Sequence, residues 1–411
     1  MSRRVVITGM GVVSPIGNTV SDFFESLKTA KLGFSPLKDK SEGFEVNYVS
    51  SVNDFDPEKR IDKKEAKRMD RFTQFALTAA LDAVDDCGTK FKDIDPFRVG
   101  VICGVGIGGL DLTAAEHEKY MAKGPGRISV FFIPMMIGNM AAGTIAMKTG
   151  FKGANYCTTT ACASSAHAIG EAFRRIKDGY LDAALAGGAE ACVSEFALGG
   201  FNNMKALSRS DDPERCSIPF DKERSGFVLG EGSGILVLEE LEHAKARNAR
   251  IYAEIAGYGA TCDAYHMTSP SPEGEAAARA ITEAINEAGL TPDDIDYINA
   301  HGTSTHLNDL CETNAIKLAL GDAAKKVVIN STKSLMGHLL GAAGSVEAVA
   351  TALAVKNDFV HKTAGYKVPD PECDLDYCTE GGRNMTVNAA ISNNLGFGGH
   401  NASILLKKYS G

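Results

Sequence analysis

Two kinds of hydrophobic pattern alternate along the chain. Short runs rich in β-branched or small apolar residues occur at 5–7, 99–102, 183–186, 235–238, 327–329 and 404–406. They are bounded by glycine or polar residues and are too short for helices, so they predict strands. Stretches 72–86, 163–176, 275–288 and 342–355 instead carry apolar residues at helical spacing, and they predict amphipathic or buried helices. Alternation of the two predicts an α/β protein whose sheets are mostly buried.

The pattern also repeats. Residues 77–88 followed by Asp93-Ile94-Asp95 match residues 279–289 followed by Asp294-Ile295-Asp296, the first aspartate lying five positions after the closing glycine in both copies. Residues 158–169 and 331–344 each read as a strand end, a tight turn and a helix. A third pair sets the glycine-rich start of 230–238 against that of 396–406. Three paired features in one order indicate duplication, with halves at 1–250 and 251–411. Sites often form where such halves meet, so chemistry is sought in turns contributed by both.

Composition narrows the function classes. In 411 residues, 44% are apolar and 23% charged, a balance that buries a globular core. The net charge of −9 argues against a general nucleic-acid binder, which needs a basic surface. Ten cysteines form no CxxC pair, so neither a zinc site nor a redox dithiol is suggested, and free thiols fit a reducing, cytoplasmic setting. The N-terminal apolar run is broken by Gly9, Gly11 and Pro15 and reads as strand and turn rather than a signal peptide. No stretch reaches the roughly 20 apolar residues of a membrane span. Residues 104–109 spell GxGxxG after a strand, but the acidic residue expected about 20 positions later is missing, and the dinucleotide reading is set aside.

Three residues carry candidate chemistry. Cys162, in Thr159-Thr-Ala-Cys-Ala-Ser-Ser165, falls between a strand and an alanine-rich helix. Unpaired N–H groups at a helix start favour negative charge, so the thiol is expected to be acidified and nucleophilic. His301 follows the apolar run 295–300 on a glycine turn. His338 closes Lys333-Ser-Leu-Met-Gly-His338, which follows the strand at 327–329 and is expected to open the helix of the second half. Two histidines at equivalent strand ends, with a strand-end cysteine, point to one site. The other seven histidines read as ordinary core or surface residues, with His266 the nearest to an exception.

The segments TACASS, HGTST, KSLMGHLLGAAG and SNNLGFGGHNA closely resemble those of the elongating β-ketoacyl-acyl carrier protein synthases, and more narrowly those of the second type in dissociated fatty acid synthesis. The resemblance covers essentially the whole chain, and the Cys–His–His combination separates this group from thiolases and from the initiating, Cys–His–Asn synthases. It implies the thiolase-like fold, a duplicated five-layer α-β-α-β-α arrangement, usually as a homodimer. It also implies that Cys162 takes an acyl group from acyl carrier protein, that His301 and His338 bind the malonyl thioester and promote loss of CO₂, and that the resulting enolate attacks acyl-Cys162. No cofactor is required, since phosphopantetheine arrives on the carrier protein.

Further residues follow from the same resemblance. Lys333 supports His338 and pairs with Glu347, while the N–H groups of Cys162 and Phe397 form an oxyanion hole. Asn299, Glu347, Ser392 and Asn393 offer oxygen ligands for a structural monovalent cation. Thr303 and Thr305 hold the pantetheine arm, with Asp263, His266, Thr268 and Gly398 near the tunnel. Ile107 and Phe201, with Phe132 from a partner subunit, shape the acyl pocket. Lys63, Lys64, Lys67, Arg68 and Arg71 recur at helical spacing; of these, Lys64, Lys67 and Arg68, with Arg127, are the expected contacts for an acidic carrier protein. Ile218 stands where many relatives have a docking arginine. The alternatives are a type II polyketide ketosynthase and a non-catalytic chain-length partner, which would lack the cysteine.

Overall fold

The computed structural model describes residues 3–38 and 40–411. Ten strands form one hydrogen-bonded sheet: β1 (Val5–Val13), β2 (Val99–Gly104), β3 (Asn155–Thr158), β4 (Ala183–Glu190), β5 (Gly232–Glu240), β6 (Ala253–Cys262), β7 (Tyr297–Asn299), β8 (Val328–Asn330), β9 (Ala389–Gly396) and β10 (His400–Lys407). Their spatial order is β8-β7-β9-β10-β6-β1-β5-β4-β2-β3. Counted outward from the β1–β6 junction, both halves read first, fifth, fourth, second, third strand. In each half the second strand is parallel to its two neighbours, and the fifth is antiparallel to its own. Identical order and polarity in both halves is the structural form of the repeat. The halves join where Val5, Val6 and Ile7 pair antiparallel with Ile255, Glu254 and Ala253.

Helices complete five layers. α1 (Arg71–Cys87) covers the outer face of the first half; α2 (Ser164–Lys177) lies inside. α3 (Glu275–Glu287) and α4 (His306–Leu320) cover the second half, and α5 (Ala343–Asn357) lies inside beside α2. Every residue of α5 from Ala343 to Val355 is buried, as a helix packed on all sides requires. The largest core cluster joins α2 and α5 to strands of both halves. The predicted helices at 72–86, 163–176, 275–288 and 342–355 thus correspond to α1, α2, α3 and α5.

Close helix–strand approach uses the same device twice. On β1, a methyl group at Gly9 or Gly11 would lie 2.3 or 1.9 Å from the carbonyl oxygens of Ala83 and Ala79. On β6, one at Gly257 or Gly259 would lie 2.0 or 1.8 Å from those of Ala284 and Ala280. In each half the outer helix rides directly on strand backbone. Gly259→Ala is therefore expected to cost about 3 kcal/mol through overpacking, read as a lower midpoint in urea or thermal unfolding.

The basic run after Asp62 does not form one helix. A short helix spans Lys63–Ala66, the chain turns, and α1 starts at Arg71. Arg71, half-buried, pairs with buried Glu231 at 2.8 Å and lies over the rings of Phe55 and Phe75, so it is held by the body of the protein. Lys63 pairs with Glu58. Lys64, Lys67, Arg68 and Arg127 are exposed, and Arg68 stacks over Phe131. Ile218 is buried, and its N–H binds Ser304 Oγ at 3.0 Å; this position supports the His301 turn from below and presents nothing to a partner.

Candidate active site

The repeat brings two special turns together. Each inner helix is preceded by a 3-10 turn whose first residue is left-handed: Ala161 at φ 50° before Cys162-Ala163, and Leu340 at φ 48° before Gly341-Ala342. Non-glycine residues avoid this region unless surrounding structure enforces it, and such strain gathers at functional sites. Here α2 and α5 enforce it by crossing at their N-termini, where Ser345 N–H binds Ser165 Oγ at 2.9 Å. The second turn differs from the expected one. Lys333 opens a separate four-residue helix, Lys333–Met336, and α5 begins only after Leu340–Ala342. That inserted segment carries Lys333 and His338.

Cys162 Sγ and one ring nitrogen from each of His301 and His338 all lie within 4.8 Å of one another, and all three residues are buried. The imidazole rings are edge-on, with centroids 5.3 Å apart, and Phe227 packs edge-on against His338. The spacing would also suit a metal, but the donor set argues otherwise. His338 Nδ1 accepts the N–H of Leu340 at 3.3 Å, and His301 Nδ1 accepts from Lys333 Nζ at 3.2 Å. Each ring therefore carries its proton on Nε2, leaving a hydrogen-bond donor where a metal ligand needs a lone pair.

Burial sets the charge states. It holds both imidazoles well below their ordinary value of 6.5, and the charge of Lys333 pushes the same way. The cysteine corrects an expectation. Burial raises the Cys162 thiol to about 12, although Lys333 and the N–H of Phe397 work against it. Loss of hydration outweighs the favourable polarity of the turn, so the resting residue is a thiol.

Lys333 is fully buried and ion-paired with Glu347, whose other oxygen accepts from Asn394 Nδ2 at 2.7 Å. Its direct histidine contact is with His301 rather than His338. Glu312, which sequence reasoning missed, accepts the N–H groups of His301 and Gly302 at 2.8 Å each and fixes that turn. Of the cation candidates, Asn299 Oδ1 and Ser392 Oγ are buried without a partner, on register-neighbouring positions of β7 and β9. Asn393 is instead engaged by Ser403 and Glu312, and Glu347 by Lys333 and Asn394. A third unpartnered oxygen belongs to Asn394.

The three residues open into a cavity of about 430 Å³. Ile107, Phe201, Thr268, Thr303 and Thr305 line it with Asp263 and Phe397. Thr303 and Thr305 bond each other at 2.8 Å. Lys205, Leu307 and Leu340, not singled out from sequence, line it too. Phe132 and Gly398 do not reach the cavity of their own chain, and His266 is exposed, accepting the N–H of Thr268. The GxGxxG turn proves to be internally occupied. The N–H groups of Gly106, Ile107 and Gly108 all donate to the carboxylate of Glu190, leaving none of the three for a phosphate.

Comparison with known proteins agrees with this geometry. Residues 2–244 match the N-terminal domain of β-ketoacyl synthases, and residues 252–367 match the C-terminal domain. The chain is 49% identical to a 3-oxoacyl-[acyl-carrier-protein] synthase 2 of Synechocystis, covering 99% of this chain and 98% of that protein. It is 48% identical to the protein of that name from Staphylococcus aureus, covering 99% of both. A β-ketoacyl synthase from Burkholderia phymatum superposes with a TM-score of 0.93 at 34% identity, over 99% of this chain and 100% of that one. A type II polyketide ketosynthase solved with its acyl-carrier protein and a hexaketide superposes with a TM-score of 0.91 at 36% identity, over 100% of both chains. With both family domains matched in order around a buried Cys–His–His cluster, the chain belongs to the β-ketoacyl synthase family and has its thiolase-like fold.

Proposed function

We propose that Cys162 carries the acyl group and that His301 and His338 act on the malonyl thioester in this enzyme. The chain is a condensing acyltransferase of fatty acid elongation, a 3-oxoacyl-[acyl-carrier-protein] synthase of the second type. The observation that carries the residue assignment is the convergence of a buried thiol on two imidazoles that both present Nε2–H.

Acylation is a thioester exchange. Cys162 Sγ attacks the acyl thioester carbonyl, the carbon–sulfur bond to the pantetheine arm breaks, and the thiol proton ends on the departing sulfur. The N–H groups of Phe397 and Cys162 face the developing oxyanion. Malonyl thioester then loses CO₂, and the two Nε2–H groups donate to the enolate oxygen as charge develops. The enolate carbon attacks the acyl-Cys162 carbonyl, releases the β-ketoacyl product, and the cysteine regains a proton from solvent. Thr303, Thr305 and Thr268 line the route for the pantetheine arm.

The partner is an acyl carrier protein in acyl and malonyl forms, met by exposed Lys64, Lys67, Arg68 and Arg127. A homodimer is supported by β3, an edge strand paired on one side, and by the exposed apolar side chains of Val130 and Ile133; it would also give Phe132 a neighbouring pocket to enter. Asn299 and Ser392 would hold a monovalent cation, supplying oxygen ligands beside the Lys333–Glu347 pair. Among the described residues no helix is long and apolar enough to cross a membrane, and the cytoplasm is the proposed location. Identity of 48–49% to proteins named 3-oxoacyl-[acyl-carrier-protein] synthase 2, against 36% to the polyketide ketosynthase, favours fatty acid over polyketide substrates.

Intact-protein mass spectrometry tests the assignment. Wild type mixed with acyl carrier proteins is expected to gain one acyl group, and a malonyl-carrier chase should clear it as β-ketoacyl product. Cys162→Ala should gain none. An adduct that survives in that variant would overturn Cys162 as nucleophile, and no adduct on wild type at any chain length would favour a non-catalytic partner.

A further inference from the structure

The carboxylate of Glu190, at the end of β4, is fully buried and has no cationic partner among the described residues. Four backbone N–H groups converge on it: Gly106 at 2.8 Å, Ile107 at 3.1 Å, Gly108 at 2.9 Å and Gly341 at 3.1 Å. Three consecutive N–H groups wrapped on one anion form a nest, a concavity suited to negative charge. Gly108 adopts the left-handed φ of 80° that the third position needs. The fourth donor comes from the other half of the molecule. Gly106 and Gly341 meet over the same carboxylate oxygen, and a methyl group on Gly341 would lie 2.3 Å from Gly106 N and 2.7 Å from Glu190 Oε2.

What this anion holds matters for chemistry. The turn on one side presents Ile107, 42% exposed, to the cavity that contains Cys162. The segment on the other side contains Leu340, also on the cavity wall, and Leu340 N–H is the group that sets the His338 tautomer. We infer that Glu190 is a positioning residue that locks the Ile107 turn against the Leu340–Gly341 segment and thereby sets which acyl chains Cys162 accepts. The inference rests on Cys162 being the acyl carrier. Burial pushes the Glu190 carboxyl up to about 7, and the nest's four N–H groups work against that rise.

Glu190→Gln keeps the shape but places an NH₂ against at least one of these donors, leaving a buried N–H unpaired. The test measures Cys162 acylation of wild type and variant with carrier protein bearing chains from six to sixteen carbons, alongside hydrogen exchange of the 103–110 peptide. The expected result is faster exchange in that peptide and a selectivity between best and worst chains flattened by roughly fivefold or more. A rate that falls equally for all chains, with the selectivity ratio unchanged, would assign Glu190 to stability alone and overturn the inference. Glu190→Asp retains charge but withdraws it by one methylene; should the glutamine variant not fold, the same ratio read on this one decides. Failure of wild type itself to acylate at Cys162 would strike the assignment of the nucleophile, a separable outcome.

Discussion

His301→Ala and His338→Ala are each expected to slow malonyl decarboxylation by ~10²- to 10⁴-fold, the range for removing a positioned donor from a developing charge, while Cys162 still becomes acylated. The separation follows from the tautomers. Because Nδ1 of each ring is occupied by a donor, Leu340 N–H in one case and Lys333 Nζ in the other, the Nε2–H groups are available to an enolate oxygen but offer no lone pair to the thiol. The measurement is release of labelled CO₂ from malonyl carrier protein, with the acyl adduct followed in parallel by mass. Equal loss of both half-reactions would mean that the histidines merely shape the cavity. Since burial and Lys333 hold both rings well below 6.5, the neutral donors persist through that pH, and the acid limb of wild-type decarboxylation should fall below it.

Lys333→Met should remove decarboxylation and also destabilise the protein by ~3–5 kcal/mol, the cost of stranding one partner of a buried ion pair. Glu347 would be the stranded group. Burial already raises its pKa, and Lys333 is the main influence lowering it. Without Lys333 its folded pKa rises further above the unfolded value, so the native state holds a proton that the unfolded state has lost. The stability deficit is therefore expected to grow as pH rises from 4.5 through the folded pKa, and to shrink on acidification. The double variant Lys333→Met, Glu347→Gln removes both charges and should regain most of the stability in urea unfolding. It should not regain decarboxylation, because His301 still lacks the donor that fixes its tautomer. Recovery of both would make Lys333 a structural residue only.

Where sequence reasoning fell short, the cause was contact between distant segments. The G-x-G spacing of Gly9 and Gly11, repeated at Gly257 and Gly259, was a readable sign of duplication, since it marks two strands on which a helix rides directly. Lys333 was matched to Glu347 and to a supporting role at His338 through family resemblance, and its charge does act on His338; what the resemblance did not show is the direct contact, since the fold brings His301 to its Nζ. The basic run at 63–71 looked continuous, but Asp70 caps a new helix and Glu231, far along the chain, pairs with Arg71. Glu190 and Glu312 gave no local signal beyond an acid next to apolar sequence; their roles exist only because loops from elsewhere aim N–H groups at them.

By itself the sequence determined the α/β alternation, the duplication, and the three residues around which the site is built. Those features depend on local periodicity and on turns at strand ends, where neighbouring residues decide the geometry. Only the tertiary structure decided the charge states: a thiol held near 12 rather than an acidified one, two neutral imidazoles, and a lysine that needs a buried glutamate. Those follow from desolvation and from the distance to partners, and both are properties of how the two halves close over the site.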